Sequence, residues 1–206
     1  MKFISSHPTV IHGLETWAAP AKLCTARYFF WNQGHEMQRN TLGLFQSLLY
    51  QILRNNPGQI HVVCPERVAH EEWDLEAIQT TLHRIATLNE FHVKYCFFID
   101  GLDEYGGAEE ELVETLQFLS MSNTIKICAS TRPRRPFQHF FRNSNRMFDI
   151  STFTKEDMRL YVWKGLQENK NFLELQKHAP ECEDIVKMYQ IWPRVCGYGY
   201  IWSGEI

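Results

Sequence analysis

Apolar positions along the chain switch between two periods, and the switches mark the elements. Met1 to His7 reads as the last turns of a helix stopped by Pro8, and Thr9 to Ala18 carries Val10, Leu14 and Trp17 at helical spacing. Leu23 to Trp31 is rich in aromatic and β-favouring residues and predicts a strand, ending in the loop Asn32-Gln33-Gly34. Thr41 to Arg54 is a helix with Leu42, Phe45, Leu49 and Ile52 in one stripe and Leu44 and Leu48 beside it, closed by Asn55-Asn56-Pro57-Gly58. A polar connection up to His70 follows. Asp74 then caps a helix whose Leu75, Ile78, Leu82 and Ile85 share a face.

Beyond that point the pattern changes character. Tyr95-Cys96-Phe97-Phe98-Ile99 is apolar without alternation, as expected of a strand covered on both faces of a parallel sheet. It runs directly into Asp100-Gly101-Leu102-Asp103-Glu104. Glu109 to Leu119 predicts a helix with Leu112, Leu116 and Leu119 turned inward. Ile125 to Ser130 is a second buried strand, ending at Thr131-Arg132-Pro133, and Arg146 to Ile150 a short last one. Thr154 with Asp157 three residues on opens a further helix by a capping-box pattern, with Met158, Tyr161, Val162 and Leu166 on its buried face. Strands separated by helices define the α/β class with a parallel sheet.

Composition narrows the function classes. Of 206 residues, 44% are hydrophobic, 22% charged and 14% aromatic, which excludes a disordered or coiled-coil chain. No apolar stretch is long enough to span a membrane, and the first fifteen residues lack a secretory h-region. The net charge of -3 argues against nucleic-acid binding through charge alone. Cys24, Cys64, Cys96, Cys128, Cys182 and Cys196 form no C-x-x-C pair, so zinc is not expected. Reduced thiols and a cytoplasmic location are. The scattered histidines have no acidic neighbours at ligand spacing.

Two strand ends carry charge that a core strand has no reason to display. In a parallel sheet, ligands sit at the carboxyl ends of the strands. Asp100, Asp103 and Glu104 crowd three carboxylates into five residues, a density costly through repulsion unless a cation or a proton relieves it. Magnesium held by one carboxylate and waters, bridging to phosphates, is the natural partner, and a second carboxylate can orient or deprotonate a water. Arg132, ending the next strand, is placed for a phosphate. The plainer alternative is a solvated turn, marked as a loop by Gly101 and Gly106-Gly107.

With those residues in view, FFIDGLDEY resembles the Walker B motif of NACHT-type (STAND) signal-transduction NTPases, especially the large fungal set with nephrocystin-3-like N-terminal nucleotide-binding domains. RYFFWNQG is similar to their FFFW strand, TLGLFQSLLYQIL to the following helix, KICASTRPRRPF to their sensor strand with its S-[ST]-R-P end, and FTKEDMRLYV to the start of their helical region. The likeness covers residues 1 to about 188. It implies a P-loop-type core over residues 1–150 and the start of a helical lid over 151–188. By resemblance, Asp100 holds magnesium through water, Asp103 and Glu104 include the water-activating carboxylate, and Arg132 senses the γ-phosphate of ATP or GTP. The implied role is a nucleotide-operated switch that oligomerises and signals, in fungi often for non-self recognition.

The departures carry equal weight. A P-loop needs G-x-x-x-x-G-K-[S/T]; Gly101 with Gly106 is followed by Gly107, and Gly199 with Gly204 by Glu205, so neither qualifies and no other glycine has its partner. Met1-Lys2-Phe3-Ile4 is similar to the residues following the P-loop in relatives, and the resemblance implies a fragment starting just past it. In the related fold the missing first strand lies between the strands at Ile125–Ser130 and Arg146–Ile150, so its loss predicts an apolar unpaired edge and a poorly soluble or self-associating chain. Residues 189–206, with Pro193 and several glycines, oppose the apolar helix found in relatives. A shifted reading frame or a retained intron would account for such a tail.

Three functions compete. One is a NACHT-type switch domain whose binding of magnesium ATP or GTP, and whose hydrolysis, are impaired by the absent loop. Another is a non-catalytic interaction module joining itself or full-length relatives through an open sheet edge or the Trp-rich tail. The third is a small phosphate or RNA binder built on Arg132, Arg134 and Arg135, which the acidic balance disfavours.

Overall fold

Helices cover a twisted sheet on both faces, and the apolar runs account for most of the layering. A computed structural model describes residues 1–67, 72–88, 91–132, 134–142, 147–179 and 200–203. His70, Pro133, Arg146 and the stretch 180–199 with Cys182, Pro193 and Cys196 lie outside the described residues.

After a single 3-10 turn at Ile4–Ser6, α1 (Pro8–Ala18) leads into β1 (Lys22–Phe29). Pro8 does not stop a helix, as the sequence suggested, but starts one. It occupies the first helical position, where its missing N–H costs nothing and its fixed φ suits the turn. α2 (Thr41–Asn55) is capped by Asn40, whose side chain accepts the Gly43 N–H at 2.8 Å. Gly43 is required there, because a Cβ would fall 1.7 Å from the Met37 carbonyl oxygen. The polar connection that follows contains a 3-10 turn, Pro57–Gln59, and the one-turn α3 (Ile60–Val63). α4 (Leu75–Thr87) begins at Asp74, which accepts the Ala77 N–H at 2.8 Å as its pattern predicts. Asp74→Ala is expected to lower stability by about 1 kcal/mol in urea denaturation, the usual worth of such a cap.

β2 (Val93–Asp100), α5 (Glu109–Ser120), β3 (Ile125–Thr131), α6 (Arg135–Arg142), β4 (Phe148–Asp149), α7 (Ile150–Gln167), α8 (Lys170–His178) and β5 (Tyr200–Ser203) complete the order. β1, β2 and β3 are parallel, with Phe29 opposite Asp100 and Ile99 opposite Ala129. The main core joins Ala26, Tyr28, Phe97, Ile99, Ile127 and Ala129 of the sheet to Leu44, Phe45 and Leu48 of α2, Ile78 and Leu82 of α4, Leu112 and Leu116 of α5, and Phe137 of α6. On the other face Cys96, Phe98 and Cys128 pack under α1 and the amino-terminal residues, through Ile4, Val10 and Leu14. The unalternating run from Tyr95 to Ile99 is therefore buried on both sides.

Three further expectations need correction. β3 is not an open edge: the strand order is β1-β2-β3-β5-β4, and β5 lies in the interior, antiparallel to both of its neighbours. Its ladder sets Ser203, Trp202, Ile201 and Tyr200 opposite Cys128, Ala129, Ser130 and Thr131. An aromatic and β-branched tetrapeptide suits a strand, so part of the atypical tail supplies the hydrogen bonds that β3 would otherwise lack. Secondly, the helix expected to open at Thr154 begins at Ile150 instead. Thr154 sits inside it and donates its hydroxyl back to the Ile150 carbonyl at 3.1 Å, so it is no N-cap. Finally, two residues of the α7 face expected to be buried are not: Tyr161 is 82% exposed and Val162 44%, while Leu166 is half-buried. Periodicity identifies an apolar face but not whether a partner layer covers it.

Candidate functional site

Asp100, Asp103, Glu104 and Arg132 converge where β1, β2 and β3 end together, because the parallel register brings those carboxyl ends side by side. Gly101 makes the turn out of β2 with φ of +73°, a left-handed conformation that glycine adopts without strain. A single 3-10 turn, Leu102–Glu104, follows and buries Leu102 and Asp103. The acidic loop is thereby folded back over the strand ends rather than projected into solvent.

Each carboxylate has a protein donor. Ser130 of β3 donates its hydroxyl to Asp100 Oδ1, and Ser130 Oγ in turn accepts the Gly101 N–H at 3.1 Å. Asp103, with its side chain only 7% exposed, accepts the Arg132 backbone N–H at Oδ1 (2.9 Å) and faces Arg132 Nε from Oδ2 at 3.4 Å. Glu104 Oε2 accepts the Asn32 N–H beyond the end of β1 at 3.1 Å. Alongside, Arg134 pairs with Glu109 at 2.6 Å. The repulsion inherent in three adjacent carboxylates is relieved here by N–H, O–H and guanidinium groups. The loop ties together the ends of all three parallel strands.

Ser130 and Asn32 were not among the residues singled out from the sequence. Asn32 acts through its backbone, which no side-chain pattern reveals. Ser130 carries a usable signal: two buried runs ending at Asp100 and Ser130 place those residues at adjacent strand ends once the strands are taken as parallel neighbours.

The carboxylates that a magnesium nucleotide would need are partly engaged by the protein itself. Magnesium wants oxygen ligands in an octahedron, commonly one or two carboxylates with water and phosphate. Both oxygens of Asp103 are directed at Arg132, and one oxygen each of Asp100 and Glu104 is engaged. Among the described residues no group of three or more His, Cys, Asp or Glu is placed to hold a metal ion. A phosphate cradle needs a strand that leaves the sheet at this end into a helix amino terminus. β5 instead arrives at this end, with its first residue Tyr200 opposite Thr131 and Asp149. The arginines considered for RNA are partly committed as well, Arg132 to Asp103 and Arg134 to Glu109.

The four described thiols, Cys24, Cys64, Cys96 and Cys128, offer no nucleophile. Burial pushes Cys96 up to about 12 and Cys128 to about 11, and raises Cys24 and Cys64 as well, so all four stay protonated at neutral pH.

A parallel α/β core with an acidic strand end beside a Ser-Thr-Arg strand end, and no phosphate loop in its 206 residues, defines a P-loop-NTPase-like core without its cradle. The family described as Nephrocystin 3, N-terminal, matches residues 4–132, well over half of the chain, and the chain belongs to that family. No curated protein and no solved structure matches it. Among the described residues no helix is long and apolar enough to cross a membrane.

Proposed function

We propose that this chain is the core of a NACHT-type, nucleotide-operated oligomerisation switch acting in signal transduction, in which magnesium nucleotide binding and hydrolysis are impaired. The observation that supports this best is the closed acidic strand end, in which Asp103 holds the backbone and guanidinium of Arg132. In such a switch Asp100 would be the magnesium residue, Asp103 and Glu104 the candidates for water activation, and Arg132 the group read by a γ-phosphate. Each has the right chemistry, and each is engaged by a neighbour: Asp100 by Ser130, Asp103 and Arg132 by each other, and Glu104 by the Asn32 N–H. The signalling output would then come from assembly with itself or with related NACHT-type chains in the cytoplasm, fungal non-self recognition being one setting.

Isothermal titration with magnesium ATP or GTP is expected to show no affinity tighter than about millimolar, roughly -4 kcal/mol. Micromolar binding lost in Arg132→Ala would overturn the impaired-site reading and reveal an unrecognised phosphate site.

The alternative, a non-catalytic interaction module pairing with full-length relatives, is favoured by a separate observation. The sheet position beside β3 is filled by a short strand from the far end of the chain. Co-purification with such a relative, unaffected by Arg132→Ala, would favour it.

A further inference from the structure

The two edges of the sheet differ in how much ladder they expose. β4, at one edge, is two residues long, too short to serve a neighbour as a template. β1, at the other, is eight residues long, holds neither proline nor glycine, and counts Thr25, Tyr28 and Phe29 among its strand-favouring residues. The Lys22 N–H donates to the His92 carbonyl at 2.8 Å and the Phe30 N–H to the Asp100 carbonyl at 2.9 Å, so the even-numbered residues turn their backbone towards β2. Leu23, Thr25, Arg27 and Phe29 turn theirs to the side on which no strand lies among the described residues. A long edge of that kind invites another chain to pair with it.

Within this row a side chain stands where a strand would. Gln51 of α2 accepts the Arg27 N–H at Oε1 (3.0 Å), and its Nε2 donates to the Arg27 carbonyl at 2.8 Å. A primary amide carries the donor and the acceptor of a peptide group, so Gln51 reproduces the paired bonds that a residue of an antiparallel strand exchanges with its opposite number. The amide is itself held in place, since Nε2 also donates to the Ser47 carbonyl at 3.0 Å. α2 delivers it because Leu44, Leu48 and Ile52 form the buried stripe and leave Ser47 and Gln51 half-buried on its flank. Two further contacts fasten the same edge: Arg27 Nη2 donates to the Ser5 carbonyl at 2.7 Å, and Lys22 Nζ to the carbonyl of Asn55, the last residue of α2, at 3.1 Å.

We propose that Gln51 is an edge guard: its side-chain amide occupies a rung of the β1 ladder and so keeps a second copy of this chain from adding its own β1 to the sheet. A second copy is the partner excluded, because two β1 edges meeting antiparallel about a two-fold axis present the same donors and acceptors to each other and would join two sheets into one. A pairing that reaches past Leu23 and Thr25 needs the Arg27 N–H and carbonyl, and Gln51 holds both. Brevity protects the β4 edge; a side chain protects the longer one. The guard acts at the opposite edge of the sheet from β4 and β5 and does not depend on nucleotide.

Gln51→Met keeps the reach of the side chain and removes both bonds to Arg27. At concentrations where the mass of the unmodified chain is constant, light scattering should show the mass of Gln51→Met rising to about twice that value. Adding Phe29→Lys, at an edge position that is 39% exposed, puts a charge on the template and should return the mass to that of the unmodified chain while the Arg27 bonds stay broken. Association through a merely loosened fold would not respond to that charge. Hydrogen exchange reads the guard in the unmodified chain: the Arg27 amide should exchange about tenfold or more slowly than the amides of Thr25 and Phe29. A Gln51→Met chain that melts cooperatively and keeps the unmodified mass at every concentration would overturn the proposal, as would association that Phe29→Lys leaves in place. An Arg27 amide exchanging as fast as those of Thr25 and Phe29 would overturn it too, and that measurement decides the matter if Gln51→Met fails to fold.

Discussion

A chain ending at residue 199 is expected to lose cooperative melting and to scatter light on gentle warming. Removing β5 strips Cys128, Ala129, Ser130 and Thr131 of their antiparallel partners, and Phe148 and Asp149 of theirs. Ile127, Ala129 and Thr131 are almost fully buried, so nearby water cannot replace what is lost without opening the sheet. A buried N–H or C=O left unpaired costs about 1–3 kcal/mol, and two or three of them rival the roughly 5–15 kcal/mol of a whole domain. Circular dichroism should show a broad transition with much secondary structure retained, because α1 and α2 still pack on β1, and α4 on α2. A sharp monomeric transition, unchanged within about 1 kcal/mol, would mean that β3 tolerates an open edge and that β5 is incidental to stability.

That dependence bears on the proposed switch. If the position beside β3 is the one where a related core carries the strand leading to its phosphate loop, then β5 and a nucleotide-binding strand are alternatives at one place. The acidic loop tells a matching story at its own scale. Arg132 cannot at once pair with Asp103 and hold a γ-phosphate with its full donor set. Both features are local enough to be tested separately.

Most of the layer structure was legible because its causes are local. The stripe Leu44, Phe45, Leu48, Leu49 and Ile52 is the buried face of α2, and Asp74 caps the helix its position implies. The run Tyr95–Ile99 announced a strand buried on both faces, and the charges at its end announced where the parallel strands would terminate. What stayed hidden depends on distant partners. Nothing in Tyr200–Ser203 names Cys128–Thr131 as its ladder, about seventy residues away in sequence. The apolar period of α7 is visible in Tyr161 and Val162, but what would cover them is not a local property. At the site, the residue types were readable and their pairing was not. Asp100 answers to Ser130 and Asp103 to Arg132, choices set by the register between β2 and β3.

Stability is expected to fall steeply above about pH 9, through thiols and phenols that the fold keeps neutral. Burial is the largest cause in every case: Cys96 is pushed up to about 12 and Cys128 to about 11 from an ordinary 9.0, and Tyr28 and Tyr95 to about 12 from 10.0. The neighbouring Cys128 raises Cys96 further, while Lys126 opposes the shift. The sign follows from proton counting. Between the unfolded and folded values the unfolded chain has released protons that the folded chain still holds, so rising pH draws the equilibrium towards unfolding. The contribution is complete below about pH 9, declines as the pH climbs towards 11–12, and does not decline further beyond the folded values. Each unit of separation is worth about 1.4 kcal/mol, so the two thiols alone would remove several kcal/mol, a large share of an ordinary domain's stability. Urea midpoints taken at about pH 8 and about pH 10 should differ accordingly, and Cys96→Ala, compared with its own midpoint at the lower pH, should show the smaller drop. Labelling with a thiol reagent supplies the independent check: Cys24, Cys64, Cys96 and Cys128 should react only as the chain unfolds, at a rate that tracks the urea transition. Equal midpoints at both pH values, with Cys96 or Cys128 labelled promptly in the folded chain, would mean that the face under α1 is wet and that these thiols titrate as they do in water.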